Sequence, residues 1–303
     1  MIYTCTMNTA IDLFVKMDAL SPNVVNRTTE EDYQANGKGV NVSVVLKELG
    51  IHSTALGFIA GFTGNYIKDE LIKKQIATDF INVDGITRVN IFVNANEEYK
   101  IVNKGPTIPE NKVAELIDKM KKIPENSYLF VSGSLPQGIK DDIFIEISKL
   151  SQRNNLKLIL DVSSPKLLQC LAYQPYLIKP NDEELAAFFN KKSLTEEELI
   201  YYGKELLNKG ALQVLVSRGE HGSIYLSKDE TIKVSSLEGK VVNTACAGDT
   251  LLATFVGKKI QGASTDEALK YASAAGSLTA FSKGLGNFDN LSDLSKNITV
   301  EHI

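Results

Sequence analysis

A carboxylate among small residues stands near the C-terminal end of the chain, in the stretch Asn243–Asp249 (NTACAGD). The apolar residues after it have the spacing of one helix face, at Leu251, Leu252, Phe255 and Val256. The first amides of a helix have no acceptor within it, and the helix dipole makes that end positive. The stretch therefore predicts a helix start where Asp249 lies beside amides that bind an anion. Taken alone, it also fits a simple N-cap.

A second group of polar residues lies near the N-terminus. Asp12 follows the first predicted strand, Ile2–Met7, and open α/β sheets bind ligands where their strands end. In the stretch Gly37–Asn41, glycines allow close backbone approach, while Lys38 and Asn41 place a cation and an amide at a predicted helix start. A capped loop with an exposed lysine remains the alternative.

Other polar residues also stand at predicted loops or strand ends. Arg27 and Arg88 carry guanidinium groups, whose planar fork suits a phosphate, although either can be an ordinary surface cation. Ser132 and Gly133 turn the chain after a strand. Asp161 ends another strand and is a weaker candidate for the same edge of the sheet. These positions are consistent with a site for a phosphorylated ligand.

Three stretches in the second half of the chain combine polar and small residues. Lys179 precedes Asn181 and Glu184, whose spacing is that of a capping box. Ser217–Gly222 turns after a predicted strand and offers backbone amides. Ala272–Ala280 is rich in small residues, which let a helix or a flat base approach closely. Each of these three stretches can also have a purely structural role.

Strand-like and helix-like segments alternate along most of the chain, which predicts a doubly wound α/β sandwich with a mainly parallel sheet. Strands are predicted at Ile2–Met7, Thr54–Ile59, Tyr128–Val131, Leu158–Leu160, Tyr176–Ile178 and Val214–Ser217. Helices are predicted at Val40–Leu49, Gly64–Gln75, Pro109–Lys122, Asp141–Asn154, Thr195–Asn208, Gly248–Gln261 and Ser264–Ser282.

Two segments, about 13–35 and 87–102, break this alternation. In the second, Val89, Ile91 and Val93 alternate with other residues, and the strands within these segments are not joined by crossover helices. We expect a small antiparallel sheet that acts as a lid. Because no linker or repeat is visible, residues 1–303 are interpreted as a single domain that includes the lid.

The overall composition excludes several classes of protein. A net charge of −4 without long basic runs gives no reason to expect a nucleic acid or membrane partner. The three cysteines lack CxxC spacing, and no membrane span or leader pattern is visible, so a cytoplasmic protein is expected. The chain contains no P-loop, no GxGxxG followed by a suitably placed acid, no HExxH and no GxSxG motif.

Three stretches resemble the phosphofructokinase-B family of ribokinase-like sugar kinases. Asn243–Asp249 is similar to its GAGD signature, Gly37–Ser43 to its GGKGxNxA/S signature, and Met1–Asp12 to the MIYTVTLNPAID start of its phosphosugar branch. The resemblance implies a three-layer α/β/α sandwich with a β-sheet lid. It further implies that Asp249 is the catalytic base and that the amides of Cys246, Ala247 and Gly248 form an anion hole. The helix start is expected to favour the ionised form of Asp249.

The resemblance implies a phosphosugar and ATP with Mg²⁺ as the ligands. It assigns the phosphosugar to Asp12, Arg27, Gly37, Lys38, Gly39, Asn41 and Arg88, with Ser132 and Gly133 beside them. It assigns ATP to Lys179, Asn181, Glu184, Ser217, Gly219, Gly222, Gly276 and Ser277. Of these, Asn181 and Glu184 are implied to hold Mg²⁺ through water. Related lids pair, which implies a possible homodimer.

Within the family, the start of the chain and Gly57–Gly64 are most similar to the bacterial 1-phosphofructokinases. This implies phosphorylation of D-fructose 1-phosphate at its 6-hydroxyl. The tagatose-6-phosphate kinases, which share the arginines, are the alternative. A third interpretation is a regulator that binds sugar phosphate without turnover.

Three departures from the family signatures stand out. Cys246 and Asn36 each stand where the family has glycine, and Thr9 stands where it has proline. If the backbone at Cys246 has a positive φ, its side chain costs about 1–2 kcal/mol there. A thiol at a helix start is expected to form thiolate readily, which predicts oxidant-sensitive activity. Asn36 is expected to tolerate a left-handed conformation.

Overall fold

A central sheet of eleven strands and a separate sheet of four strands organise the computed structural model, which describes residues 1–303. Strands are numbered in chain order. The central sheet contains β1 (Ile2–Thr6), β4 (Thr54–Ala60), β5 (Ala77–Thr78), β6 (Ile81–Val83), β9 (Tyr128–Ser132), β10 (Lys157–Asp161), β11 (Leu177–Ile178), β12 (Gln213–Ser217), β13 (Ser223–Ser227), β14 (Thr231–Val234) and β15 (Val300–His302). The small sheet contains β2 (Ala10–Lys16), β3 (Glu30–Asn36), β7 (Arg88–Asn94) and β8 (Glu98–Ile101).

The central sheet is parallel from β5 through β4, β1, β9, β10 and β11 to β12, with β6 as a second partner of β4. Strands β13, β14 and β15 extend it in antiparallel fashion. The inner strands are apolar on both faces because helices cover both. In β9, Leu129, Phe130 and Val131 are all fully buried. The predicted α/β sandwich is confirmed; the antiparallel extension was not predicted.

The ten helices form the two outer layers of the sandwich. They are α1 (Lys38–Glu48), α2 (Gly61–Lys73), α3 (Glu110–Lys121), α4 (Asp142–Arg153), α5 (Leu167–Cys170), α6 (Asp182–Phe188), α7 (Glu196–Asn208), α8 (Ala247–Ile260), α9 (Thr265–Ala280) and α10 (Leu291–Ser295). Short 3₁₀ helices span Leu171–Tyr173 and Gly219–His221. Leu129 and Val131 pack in the core formed with α3, α4 and α7, whereas Phe130 packs in the core formed with α1, α8 and α9. All seven predicted helices are present, with ends within three residues of the predicted ones.

The small sheet, which we call the lid, has the strand order β3-β2-β7-β8. Its outer pairs are antiparallel as predicted, whereas the central pair, β2 with β7, is parallel. These two strands run side by side because both leave the central sheet in the same direction, β2 after β1 and β7 after β6. Phe14 and Phe92 stack across this pair with their ring centroids 4.8 Å apart.

The helices are short for a bilayer. The longest, α9, has 16 residues, and no helix combines the length and the apolar character needed to cross a membrane.

Gly57 allows β4 to pack closely against β1. It lies near the edge of the sheet where the polar residues are found. Its φ is +138°, and a Cβ there would lie 1.9 Å from the carbonyl oxygen of Thr6, its partner in β1. We expect Gly57→Ala to lower the free energy of unfolding by about 3 kcal/mol, because strained backbone and overpacking add. Urea denaturation followed by circular dichroism measures this loss.

Gly50→Ala is the matched control for this prediction. Gly50 also has a positive φ, +75°, but a Cβ there would meet no atom within 4 Å. Its replacement should cost about 1 kcal/mol, the backbone contribution alone. Equal losses for the two variants would contradict the role given to the contact between β4 and β1.

Candidate active site

The predicted polar residues gather at the carboxyl ends of the parallel strands. Ser132 is the last residue of β9, Asp161 is the last residue of β10, and Lys179 directly follows β11. Two helices begin at the same edge: Lys38 is the first residue of α1, and Asp249 lies in the first turn of α8. The cleft between these strand ends and helix starts is the candidate active site, as expected for an open α/β sheet.

Asp161 is the centre of charge in this cleft. Its Oδ1 accepts a hydrogen bond from Lys38 Nζ at 3.1 Å and forms an ion pair with Lys179 Nζ at 3.2 Å, while its Oδ2 is buried without a hydrogen-bond partner. Burial alone would raise the pKa of Asp161, but Lys179 and Lys38 together lower it below its ordinary value. The sequence made Asp161 only a weak candidate for the site, because its position at the end of a strand was the only feature that pointed to it.

Asp249 lies at the start of α8 with one oxygen engaged and one free. Its Oδ2 accepts from Asn41 Nδ2 at 2.8 Å, and its Oδ1 makes no hydrogen bond within the protein. The amides of Gly248 and Asp249 have no acceptor, whereas the Ala247 amide donates to the Thr244 carbonyl at 3.3 Å. Lys179 faces this helix start, since a Cβ on Gly248 would lie 3.3 Å from Lys179 Nζ. The structure therefore brings a carboxylate, free amides and an ammonium group together.

Burial dominates the ionisation of Asp249. Burial, assisted by the negative charge of Asp161, raises its pKa to about 6, although Lys38, Asn41 and Lys179 act in the opposite direction. The helix start was expected to favour the ionised form, but the net effect on the pKa of Asp249 is the opposite, because burial removes hydration that Lys38, Asn41 and Lys179 do not replace.

This raised pKa predicts a pH dependence of activity. If the ionised Asp249 accepts a proton in the reaction, kcat should fall about tenfold per pH unit as the pH drops below the pKa of about 6. We expect the pH profile of kcat at saturating substrates to show this acid limb. An acid limb seen in KM but not in kcat would instead report the phosphate groups of the substrates, whose second pKa is about 6, and would contradict the prediction.

Cys246 is the N-cap of α8 and has the left-handed backbone that its position suggested, with φ +66°. Its Sγ lies 3.2 Å from Asn41 Nδ2 and 3.6 Å from Asn36 Nδ2. Burial and the nearby Asp249 raise the pKa of the Cys246 thiol to about 12. The expectation of a readily formed thiolate was therefore wrong, and with it the physical basis for oxidant sensitivity.

The start of α1 packs tightly on β1. A Cβ on Gly37 would lie 2.5 Å from Thr6 Cγ2, and one on Gly39 would lie 2.7 Å from Thr6 Oγ1. Gly37, not Asn36, has the positive φ, +131°, and Asn36 ends β3 in extended backbone. Asn36 therefore does not use the left-handed conformation that it was expected to tolerate, because its glycine neighbour makes the turn. Both glycines have a packing role here, and their predicted contact with a sugar stays a prediction.

Asp12 and Arg88 belong to neighbouring strands of the lid. Asp12 Oδ1 accepts from Asn90 Nδ2 at 2.8 Å, and burial raises the pKa of Asp12 despite the opposing effects of Asn90 and Arg88. Arg88 Nη2 donates to the Asn8 carbonyl at 3.0 Å, and Nη1 donates to the Asn103 carbonyl at 3.3 Å. Arg88 Nε is buried without a partner, so it retains a donor for an anion. Sequence reasoning missed Asn90, which no local pattern distinguished.

Ser132 and Gly133 border the same cleft. The Ser132 hydroxyl is buried without a hydrogen-bond partner. Gly133 donates from its amide to the Asp161 carbonyl at 3.0 Å, and a Cβ on it would lie 3.8 Å from the Lys38 side chain. Both residues therefore lie at the cleft, and their predicted contact with a sugar stays a prediction.

Arg27 is the predicted residue that the structure does not bring to the cleft. It lies in the loop between β2 and β3, is exposed, and makes no hydrogen bond or ion pair. Its assignment to a substrate phosphate stays a prediction that requires movement of the lid or a second subunit.

The predicted nucleotide residues lie around the ends of β11 and β12. Asn181 and Glu184 form the capping box of α6, with Glu184 N donating to Asn181 Oδ1 at 2.6 Å and Asn181 N donating to Glu184 Oε2 at 3.0 Å. Ser217 pairs with Asn181 through an isolated β-bridge, so the two stretches are adjacent. Gly219 and Gly222 turn the chain between β12 and β13, both with positive φ.

Gly276 and Ser277 contribute first to helix packing. A Cβ on Gly276 would lie 3.3 Å from the Ala247 carbonyl oxygen, so α9 approaches the start of α8 closely. The Ser277 hydroxyl accepts from the Leu237 amide at 3.1 Å and donates to the Ser273 carbonyl at 2.9 Å. Their predicted contact with adenine stays a prediction.

The residues present can assist a magnesium ion without enclosing it. No group of three or more His, Cys, Asp or Glu side chains is arranged to hold a metal. The Asp161 Oδ2 atom lacks a partner, and the Glu184 carboxylate faces the same edge through its contact with Ser163. Oxygen donors of this kind suit Mg²⁺, which usually keeps several waters and binds mainly through substrate phosphates.

Known proteins align with this chain over its whole length. The model of the pfkB family of carbohydrate kinases matches residues 4–291. D-tagatose-1-phosphate kinase from Bacillus licheniformis is 59% identical over 304 residues, with 100% of each chain covered. 1-Phosphofructokinase from Borreliella burgdorferi is 38% identical, with 100% of this chain and 99% of that protein covered. The crystal structure of phosphofructokinase-2 from Escherichia coli in complex with substrates and products superposes with a TM-score of 0.91 at 26% identity, with 98% of each chain covered.

Proposed function

Because this chain belongs to the pfkB family of carbohydrate kinases and is therefore an ATP-dependent phosphosugar kinase that uses Mg²⁺, we propose that it phosphorylates the 6-hydroxyl of a ketohexose 1-phosphate. The observation that carries this proposal is the start of α8, where the free Oδ1 of Asp249 lies beside two amides without acceptors. A carboxylate next to free amides can accept a proton from an alcohol and stabilise the anionic group that the alcohol attacks.

In this proposal, hydrogen-bond donors that are already in position stabilise the negative charge of the transferred phosphoryl group. The amides of Gly248 and Asp249 face its equatorial oxygens, and the Lys179 ammonium lies against the same helix start. Phosphoryl transfer depends mainly on positioning and electrostatic stabilisation, because the transition state is loose. Mg²⁺, when bound with ATP, offsets the negative charge of the phosphates.

The acceptor sugar is positioned by residues on the opposite side of the cleft. We assign its hydroxyls to Asp12 and Asn41, and its phosphate to Lys38 and to Arg88, whose Nε lacks a partner. With the acceptor alcohol against Asp249 Oδ1, its proton passes to the carboxylate as its oxygen bonds to the γ-phosphorus of ATP. The bond from that phosphorus to the bridging oxygen breaks, and ADP leaves. The lid strands that carry Asp12 and Arg88 then help to exclude water, which would otherwise hydrolyse ATP.

Among ketohexose 1-phosphates, we place D-tagatose 1-phosphate first and D-fructose 1-phosphate second. The relative that is 59% identical over the full length is named D-tagatose-1-phosphate kinase, and the one that is 38% identical is named 1-phosphofructokinase. This order differs from the expectation drawn from the motifs, which put D-fructose 1-phosphate first and did not include D-tagatose 1-phosphate.

The test is an ADP-release assay with four acceptors: D-tagatose 1-phosphate, D-fructose 1-phosphate, D-tagatose 6-phosphate and D-fructose 6-phosphate. We expect the highest kcat/KM for D-tagatose 1-phosphate, with its C4 epimer within about 100-fold. The 6-phosphates should react at least about 10³-fold less well, because their 6-hydroxyl is already esterified. Turnover of a 6-phosphate alone would favour the tagatose-6-phosphate kinase alternative. Binding of a sugar phosphate without any turnover would favour a regulator.

We also propose that two copies meet through the lid. Large apolar side chains are exposed on the lid and on the loops beside it, at Val24, Val25, Tyr33, Ile101 and Val102. Light scattering should give a mass near twice the monomer mass of 33.2 kDa, and Val25→Asp with Val102→Asp should return it to the monomer value. A monomeric parent protein would contradict this proposal.

A further inference from the structure

Two residues far apart in the sequence meet behind the candidate base. Asn36 ends β3 of the lid, and Cys246 caps α8, yet Asn36 Nδ2 lies 3.6 Å from Cys246 Sγ. Both stand where the family signatures have glycine. Because a glycine has no side chain, the two departures create this contact together.

Both residues also contact the amide group that holds Asp249. Asn41 Nδ2 lies 3.0 Å from Asn36 Oδ1, 3.2 Å from Cys246 Sγ and 2.8 Å from Asp249 Oδ2. An amide nitrogen has two hydrogens, so three acceptors share them. The orientation of Asn41, and with it the bond to Asp249, therefore depends on the two residues on its other side.

Cys246 has a side chain at a position where the left-handed backbone favours glycine. With φ at +66°, cysteine is less favourable there than glycine. The thiol fills the space beside Asn41 and Asp249, which are both buried, while Cys246 itself is half-buried. A glycine at this position would leave a gap lined by two amides and a carboxylate, which is polar enough to admit water.

We propose that Asn36 and Cys246 act as a pair of positioning residues, which hold Asn41 against Asp249 and keep water away from the back of that carboxylate. This inference rests on the proposed function. It links the last strand residue of the lid to the start of α8, so the position of the lid and the state of the base depend on each other.

Several charged or titratable groups besides the pair face Asp249 or its immediate neighbours, and all of them stay in place in the variants below. They are Asp161 after β10, Lys38 in α1, Lys179 after β11, and, next to Cys246 and Lys38, Asp12 in β2 and Glu184 in α6. A shift of the acid limb of kcat in those variants can therefore be attributed to the loss of Asn36 or Cys246 and to the water that they exclude.

The test compares Cys246→Gly, Cys246→Ala, Cys246→Ser and Asn36→Ala with the parent enzyme. In the first two variants and in Asn36→Ala, water reaches Asp249, so the acid limb of the kcat profile should move to lower pH by about half a unit or more. We expect kcat at neutral pH to fall about fivefold while KM for ATP stays unchanged. Cys246→Ser keeps an acceptor for Asn41 and should retain most of the parent profile.

The double variant Asn36→Ala with Cys246→Ala separates a pair from two independent residues. If the two act together, the double variant should lose little more than the poorer single variant; a product of the two single losses would overturn the inference. An effect of Cys246→Gly that is absent in Cys246→Ala would assign the change to the backbone and would also overturn it. Cys170→Ala, which removes a buried thiol in α5, is the control and should leave the acid limb unchanged.

The outcomes for this inference and for the proposed function can be told apart. A parent enzyme that transfers no phosphoryl group to any sugar phosphate contradicts the proposed function. An active parent whose acid limb is the same in all four single variants contradicts only the inference. Thermal unfolding of each variant shows that the comparison is made between folded proteins.

Discussion

Replacing Asp249 with asparagine is expected to lower kcat about 10³-fold while both substrates still bind. The asparagine keeps the shape and can still accept from Asn41, but it cannot take a proton from the acceptor alcohol. General base catalysis contributes about 10²–10⁴-fold, and the free amides at the start of α8 remain to support a residual rate. Single-turnover kinetics with saturating ATP measures the chemical step directly.

This variant also carries its own test of folding. Because burial raises the pKa of Asp249 to about 6, the ionised carboxylate is unfavourable to the fold at neutral pH, and its removal should leave the melting temperature unchanged or higher. Asp229→Asn makes the same chemical change at an exposed position in the turn between β13 and β14, and should leave kcat unchanged. An Asp249→Asn enzyme that is folded and fully active would overturn the proposed mechanism.

Replacing Asp161 with asparagine is expected to affect both stability and activity. Asp161 is the shared partner of Lys38 and Lys179, and its side chain is 1% exposed. Removing its charge leaves the buried Lys179 and the partly exposed Lys38 without their carboxylate partner, which should lower the free energy of unfolding by about 3 kcal/mol. The same change removes the negative charge that helps to raise the pKa of Asp249, so the acid limb of kcat should move to lower pH.

Chemical denaturation and a pH profile of kcat measure the two effects of Asp161→Asn separately. Asp79→Asn is the matched control, since it breaks an ion pair with Lys119 at the surface, where Asp79 is half exposed. Its stability loss should be about 1 kcal/mol or less. If both variants lose the same stability, the charge centre in the cleft does not have the role given to it here.

The features that sequence analysis predicted well depend on local patterns. The helix that begins next to Asp249 follows from apolar spacing, and the lid follows from two segments without crossover helices. Both were placed within a few residues. The capping box of α6 was also visible, because its two residues lie three positions apart.

The features that sequence analysis missed depend on contacts between segments that are distant in the chain. Asp161 gains its importance from Lys38 and Lys179, which come from other parts of the chain. The raised pKa values of Asp249 and Cys246 follow from burial, which no short stretch reveals. The helix-start argument failed for both residues for this reason, since it counted the dipole and not the lost water.

The hydrogen bond from Asn41 to Asp249 joins residues that are 208 positions apart in the chain. Such a contact closes late in folding, because distant segments must first be brought together. A nascent chain that has not yet produced α8 already has all the parallel strands of its central sheet but lacks the group that accepts the proton. Regain of activity after dilution from denaturant should therefore lag behind regain of helical circular dichroism, and catalysis in this enzyme reports the completion of contacts between distant parts of the chain.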